Sequence, residues 1–448
     1  MANVKSLVRA LKIIEPRLFV GIEIDGVSQL VGRLQFVQTA QNFTASFQYD
    51  STYLSLAQRG VAFALDPINL PLRSEPYQTS SRHSLLGVLF DAAPDAWGRM
   101  VMGLDEGVSS SSLSESSVLL KGKGTGAGAI FFAKEPFDST FVLPRYLGNS
   151  LAQVPALYDI VRKIQNGLTH VDEGSRALLN SSWDIGGARP KAVVQDEEGI
   201  QWIAKFPRTI DTFSRQRVEW ANLEMAREIG MRVPDTQIIE LEDGDCALLV
   251  RRFDRSYGHN QGQCVRREHY ISAASLISPP ADFDKYKMDT AYGASYFSYA
   301  RIADVVRRVS THAARDLTEL YARMVLNVLV HNTDDHLKNT GFVRDRGSEA
   351  LGLRLAPLFD VVTQEGAALH MLHLGPGTDT TQPYKTGRHG SLENVLSGAK
   401  SCGIKPSAAQ ELIERVRRVF DRRFEFYSRA KMRRRDIGLI ESCIDESR

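Results

Sequence analysis

The segment Thr333-Asp334-Asp335-His336-Leu337-Lys338-Asn339, followed by Leu358-Phe359-Asp360-Val361, constrains this chain more than any other. It sets out a carboxylate, an amide five positions on and a second carboxylate about twenty further. Protein kinases position a hydroxyl and hold Mg²⁺ with groups in this order. A fold that uses it must bring a polar loop and a strand end to one point, and the flanking pattern allows that. Leu320, Tyr321, Met324, Val325, Leu329 and Val330 form an apolar helical run that stops at His331-Asn332. Residues 351–358 read as a strand ending just before Asp360. Taken singly, each Asp also reads as a helix cap or the first residue of a turn; the ordered trio is what points to chemistry.

Phosphoryl transfer passes through a loose transition state, so alignment and charge neutralisation matter more than covalent work by the protein. On that basis Asp334 is the expected acceptor of the hydroxyl proton, and Asn339 and Asp360 are the expected Mg²⁺ ligands, a hard cation suiting their oxygens. His336 and Lys338 are placed among the nucleotide contacts, with Lys338 screening phosphate.

Upstream, Asp184-Ile185-Gly186-Gly187-Ala188-Arg189-Pro190-Lys191 precedes an apolar strand, a turn through Asp196-Glu197-Glu198-Gly199, and a second strand ending in Lys205. Glycines let backbone N–H groups approach phosphate closely, and Arg189, Lys191 and Lys205 add positive charge. Gly186, Gly187, Ala188, Arg189, Lys191 and Lys205 are therefore candidate nucleotide contacts, in a hairpin over ATP. An ordinary β-turn is the alternative. Glu219 stands near the start of a helical stretch closed by Gly230 and is expected to pair with Lys205; a solvent-facing Glu favoured by the helix dipole is the other reading. Residues 246–250 read as a buried strand leading into Arg251-Arg252-Phe253-Asp254-Arg255. A crossing there would offer backbone groups to adenine, with Arg252 and Phe253 beside it, although Phe253 also reads as a core residue.

Composition narrows the classes further. With 448 residues and 43% hydrophobic composition the chain can form two or three packed units. The formal charge of +2, from 55 basic and 53 acidic residues, gives no global case for nucleic-acid binding. Ten Lys or Arg do cluster between Arg415 and Arg435, around an apolar stripe of Leu412, Val416, Phe420, Phe424 and Tyr427. Such a pattern reads as the solvated face of a packing helix, or as contact with an acidic partner. Cys246, Cys264, Cys402 and Cys443 are scattered, which indicates neither disulfides nor zinc. No apolar run reaches the roughly 18–20 residues of a membrane span, and no secretory leader is evident, so a cytoplasmic protein without membrane contact is expected. Residues 121–128, rich in Gly and Lys, lack the Walker pattern because Gly124 separates Lys123 from Thr125.

Taken together, the glycine loop ending in Lys191, the Lys205 strand, Glu219, Val233-Pro234-Asp235, Arg252-Phe253-Asp254-Arg255, Thr333 to Asn339 and Phe359-Asp360 resemble the HipA family of serine/threonine kinases, the toxins of bacterial toxin-antitoxin pairs. Pro94-Asp95-Ala96-Trp97-Gly98-Arg99 is similar to that family's N-terminal segment. The resemblance implies an α+β fold: a two-lobed kinase-like domain with an added N-terminal α/β domain. The expected units are residues 1–145 (HipA-like N-terminal domain), 150–300 (nucleotide-binding lobe) and 301–448 (mostly helical catalytic lobe). It also implies ATP and Mg²⁺ as cofactors, Asp334 and Lys205 as catalytic residues, and a protein substrate in translation such as an aminoacyl-tRNA synthetase. The implied partner is a helix-turn-helix antitoxin of the HipB type, through which alone DNA would be met. A pseudokinase-like binding module and a small-molecule phosphotransferase are the competing readings. One departure stands out: where the family can carry a serine that autophosphorylates, seven residues before the loop lysine, this chain has Asp184, with Ser181 and Ser182 nearby.

Overall fold

The structure, a computed structural model, describes residues 13–14, 17–38, 43–79, 86–122, 126–143, 149–167, 172–179, 187–257, 264–280, 287–346, 352–366 and 369–445. Gly186, Asp184, Ser181, Ser182 and residues 123–125 lie outside these.

The first sheet is an antiparallel meander. Leu18–Ile24 turns through Asp25-Gly26 into Val27–Gln38, which pairs with Phe43–Tyr49; Ile130–Ala133 and Tyr77–Gln78 extend the two sides. Asp25 and Gly26 both have positive φ (52° and 83°), the backbone a two-residue hairpin needs to match strand twist. Leu18, Val20, Ile22 and Ile24 alternate onto the face that builds the core.

A second sheet carries the nucleotide-side residues. Its strands run in the order Thr236–Glu240, Cys246–Arg251, Gln201–Lys205, Lys191–Gln195 and Asn149–Ser150, antiparallel except for the last pair. The tight turn between Lys191–Gln195 and Gln201–Lys205 is organised by Asp196, whose Oδ1 accepts from the backbone N–H groups of Glu198 (3.0 Å) and Ile200 (2.8 Å). The register places Lys191 directly opposite Lys205, so both side chains leave the same face. Helix Arg215–Ile229 packs against Cys246–Arg251, buries Val218, Ala221, Leu223, Met225 and Ala226 in the main core, and ends at Gly230 with φ 96°.

The third region is helical. Helix Ala313–Leu329 is buried from Leu317 onward on all sides except Thr318, which its apolar run anticipates; its buried carboxylates are paired, while the Tyr321 hydroxyl and Arg323 Nε are buried without a hydrogen-bond partner. Asp316 accepts from Arg232 (2.8 Å), the Leu355 backbone (2.7 Å) and Ser310 (2.7 Å), while Glu319 holds both Arg232 and Arg323. Helices Tyr299–Val309 and Pro406–Phe420 flank it. The basic C-terminal run is spread over Pro406–Phe420, Arg423–Arg429 and the start of Arg434–Asp445. Of the expected stripe, Val416, Phe420 and Tyr427 are buried and Leu412 is partly so, while Phe424, just past the first break, is half exposed and Phe426 turns inward. Several of the arginines are internally paired, Arg422 with Glu228, Arg423 with Glu441 and Arg429 with Glu224.

Helix Ala96–Glu106 belongs to the N-terminal stretch, yet Trp97, Val101 and Met102 pack with Val161, Ala192, Val194, Trp202 and Ala204 under the second sheet. A buried charge cluster adds to this join: Asp254 accepts from Arg252, Arg255 and the Gly128 N–H, and both arginines also donate to the Gly126 carbonyl. No helix among the described residues is long and apolar enough to cross a membrane.

Candidate active site

Lys205 sits at the end of its strand with its ammonium between two carboxylates, 2.6 Å from Glu219 Oε1 and 3.0 Å from Asp360 Oδ1. The same Glu219 oxygen accepts the Asp360 backbone N–H at 3.0 Å. One buried carboxylate thus fixes both the lysine and the backbone of the second acidic residue. Burial alone would push the Lys205 ammonium toward neutrality, but Asp360 and Glu219 outweigh it and keep the charge on. Lys205, with Lys191 behind it, holds the Asp360 carboxyl well below the usual carboxylate range. Asp360 also has a positive φ of 63°, a left-handed conformation that non-glycine residues adopt at a cost of about 1 kcal/mol or more.

Lys191 extends over the glycine run. Gly187 has a φ of 116°, a conformation that favours glycine, and a Cβ there would fall 2.0 Å from Lys191 Nζ and displace the ammonium from its place over the run. Burial pushes the Lys191 pKa down, with Asp360 partly offsetting it. Ala188 is exposed. Arg189 makes a two-pronged contact with Asp211 at 3.0 Å, and Asp211 also accepts from the Arg208 backbone (2.9 Å).

The loop from Thr333 to Asn339 presents Asp334 to solvent and turns Asp335 inward. Asn339 Nδ2 donates to the Asp334 carbonyl (3.3 Å), which ties the amide residue to the backbone of Asp334 and leaves the amide oxygen for another partner. Asp335 accepts a short hydrogen bond from the Tyr299 hydroxyl; that hydroxyl accepts from Asn327 (3.0 Å), whose side-chain oxygen accepts from Asn332 (3.0 Å). A buried polar chain therefore underpins the loop. Burial raises the Asp335 carboxyl to about 6, against the opposing pull of Tyr299 and His336. His336 is half-buried and close enough to Asp335 and Asp360 to act on both carboxyls electrostatically. The Lys338 ammonium lies 3.7 Å from Asp95 and 4.5 Å from the centre of the Phe90 ring.

Phe253 stacks on Phe359, the neighbour of Asp360, with ring centres 5.8 Å apart, and touches Tyr270 at 6.1 Å. Arg252 has its guanidinium in the Asp254–Gly126 cluster, so its contribution to this region is to the join between the N-terminal stretch and the lobe. Gly186 lies outside the described residues.

The structure also brings in residues that sequence spacing did not single out. The Trp97 indole donates to the Lys191 carbonyl (3.0 Å) and its backbone N–H to the Gly187 carbonyl (3.3 Å). Asp95, two residues earlier, reaches Lys338, so one short segment touches both the glycine run and the Asp334 loop. Arg215, at the first turn of the Glu219 helix, donates to Gln364 (2.9 Å). Its position four residues before Glu219 is a signal that helical spacing carries; the contacts of Asp95 and Trp97 depend on tertiary packing alone.

Among the described residues no three His, Cys, Asp or Glu side chains converge into an all-protein metal cage. Mg²⁺ needs no such cage, since it keeps waters and takes one or two protein oxygens together with phosphates. The Asp360 carboxylate, nearly half exposed with only Oδ1 held by Lys205, and the Asn339 amide oxygen fit that donor chemistry.

Residues 183–424 match the family model for the HipA-like C-terminal domain, more than half of the chain. A Haemophilus influenzae protein named "Putative kinase" is 27% identical over 150 residues, covering 32% of this chain and 40% of that protein. A similarly named protein of Sinorhizobium fredii is 25% identical over 275 residues, covering 51% and 62%. The matches thus span less than two thirds of either relative. In fold, the chain is similar to a solved complex of the Shewanella oneidensis HipA, HipB and operator DNA, with a TM-score of 0.66, 15% identity, and 96% of this chain and 95% of that chain covered. By the match over its kinase-like half, this chain belongs to the HipA-like C-terminal domain family.

Proposed function

We propose that the protein is an ATP- and Mg²⁺-dependent serine/threonine protein kinase acting as the toxin of a toxin-antitoxin pair. The observation that carries the reading is Lys205 held between Glu219 and Asp360, with the segment that follows Asp360 joined to the head of the Asp334 loop by the Gln364 N–H donating to the His331 carbonyl. An isolated ion pair would stabilise a fold with one carboxylate. Here a second, half-exposed carboxylate shares the lysine, an arrangement suited to receiving a polyphosphate and its counter-ion.

In this reading Lys205 and Lys191 draw the triphosphate in by charge, and Gly187 gives the backbone close approach to it. Asn339 and Asp360 hold Mg²⁺, which bridges phosphate oxygens and neutralises charge as it develops. Asp334, exposed at the loop tip, orients the acceptor hydroxyl and takes its proton. The Asp335–Tyr299–Asn327 chain keeps that tip from collapsing. Phe253, packed on Phe359, borders the adenine. A HipB-type helix-turn-helix antitoxin is the proposed partner, with DNA met only through it, and a translation component, an aminoacyl-tRNA synthetase among them, the proposed substrate.

The test is incubation of the purified chain and its Asp334→Ala variant with γ-labelled ATP, Mg²⁺ and a cell extract. Label on protein serine or threonine, absent with the variant, is the expected outcome. Label on a small molecule would replace the reading with a small-molecule phosphotransferase, and no label from the intact chain would leave a binding module.

A further inference from the structure

We propose that Arg215 is a further catalytic residue, contacting the phosphoryl group while it passes from nucleotide to acceptor; the inference rests on the kinase reading above. Arg215 and Glu219 are four residues apart on one helix and so share a face. Glu219 fixes Lys205 and the Asp360 backbone, which places Arg215 one turn along from the group that organises the metal side of the site. The guanidinium donates to Gln364, four residues after Asp360, and the Gln364 backbone donates to the carbonyl of His331 at the head of the Asp334 loop (3.0 Å). Arg215 is thereby tied to both segments that must meet at the reacting phosphorus.

Its charge balance points the same way. Arg189, Arg217, Arg232, Arg252 and Arg323 each sit against a carboxylate at hydrogen-bond distance. Arg215 is half-buried, has Nε buried without a partner, and among the described residues has no carboxylate within ion-pair distance. Phe213, 6.0 Å from the guanidinium, covers one side. A partly desolvated cation is unfavourable unless an anion meets it. The carboxylates whose fields it feels, Asp211, Asp360 and Asp334, are engaged with Arg189, with Lys205, or at the loop tip. The anion that completes it is a phosphoryl group lying between Asp360 and Asp334. As the bond from the γ-phosphorus to the β-bridging oxygen breaks, its electron pair stays with the departing nucleoside diphosphate. The acceptor oxygen bonds to phosphorus and its proton goes to Asp334. Charge spreads over the equatorial oxygens in between, where a planar guanidinium supplies two in-plane donors that an ammonium lacks.

The experiment measures single-turnover phosphate transfer, ADP affinity and thermal melting for the full chain and for Arg215→Ala and Arg215→Lys. Expected are a fall of about 10²–10³-fold in transfer for Arg215→Ala, about 10-fold or more for Arg215→Lys, ADP affinity within about threefold of the intact chain, and partial recovery of Arg215→Ala by added guanidinium. If Arg215→Ala does not fold, Arg215→Lys decides by the same limit. Transfer by either variant at the intact rate, or a loss confined to ADP affinity and not recovered by guanidinium, would overturn the role of Arg215 while leaving the kinase reading in place. Absence of transfer by the intact chain would overturn both.

Discussion

Lys191 and Lys205 face one another across the two strands of a single hairpin, yet their ammonium groups are held in different ways. Lys205 is clamped by Glu219 and Asp360, while Lys191 leans over Gly187, where burial works against its charge. Two neighbouring cations on one face repel, and Asp360 is the shared counter-charge that both feel most strongly. An entering polyphosphate would relieve that repulsion.

Removing the clamp tests this directly. Glu219 is buried, its side chain 4% exposed, so Glu219→Gln leaves Lys205 with one carboxylate and removes the buried charge that holds it. The loss of a charge-assisted hydrogen bond predicts a fall in stability of about 1–3 kcal/mol by denaturant unfolding. Asp360 would also lose the anionic acceptor of its backbone N–H, so the variant should need more ATP for half-maximal transfer. Unchanged stability together with unchanged ATP dependence would show that the clamp is incidental.

Asp335 predicts a pH dependence of stability. Its carboxyl titrates at about 6 in the folded chain against an ordinary 3.8, so the folded state holds a proton that the unfolded chain has lost between those values. Stability from this group is therefore complete below about pH 4 and is lost as pH rises through about 6, on the order of 2–3 kcal/mol by pH 7. Asp335→Asn, which keeps an acceptor for the Tyr299 hydroxyl, removes that dependence. The difference in unfolding free energy between variant and parent should move in favour of the variant from pH 4 to pH 7.5. His370, lowered to about 3 by burial, runs the other way and is common to both proteins. A flat difference across this range would contradict the assignment.

How far the site could be read from sequence depends on whether each contact follows from local spacing. Glu219 opposite Lys205 follows from a strand lysine and a helix glutamate in kinase order, and the Asp334–Asn339 link needs only a five-residue loop. The buried helix from Ala313 was legible because its apolar run admits no other period. Asp335 was not: as one of two adjacent aspartates it looks exposed, and only Tyr299 and Asn327, on separate helices, make it an interior group. Arg252 was read as a nucleotide contact on order alone, whereas its guanidinium is committed to Asp254, two residues on, and to the Gly126 carbonyl, more than a hundred residues away. The same long-range packing placed Trp97 beneath the glycine run, across the sequence gap between residues 1–145 and 150–300.

Trp97 supplies a prediction of its own. Trp97→Phe keeps most of the buried ring that packs against Ala192 and Trp202 but removes the indole donor to the Lys191 carbonyl. The ATP concentration for half-maximal transfer should rise several-fold with little change in kcat, because the bond fixes the strand beside the nucleotide and touches no reacting atom. Stability should fall by about 1 kcal/mol, the usual contribution of one neutral hydrogen bond. An equal loss in kcat would instead place Trp97 in the chemical step.

Asp360 separates charge from backbone. Asn tolerates the left-handed conformation as Asp does, so Asp360→Asn keeps the φ of 63° while removing one negative charge. Its carboxylate is 46% exposed, so solvent screens the Lys205 pair and the stability change should stay within about 1 kcal/mol. Function should respond far more. In chelator, ATP affinity should be equal to or higher than that of the parent, since a carboxylate facing the triphosphate is gone while Lys191 and Lys205 remain. In Mg²⁺, phosphate transfer should fall by about 10³-fold or more, an effect of the size that follows loss of an electrostatic group in the transition state. Titration of ATP binding with and without Mg²⁺ reads the two effects separately. A variant whose ATP affinity drops equally in both conditions would mean that Asp360 shapes the pocket and does not hold the cation.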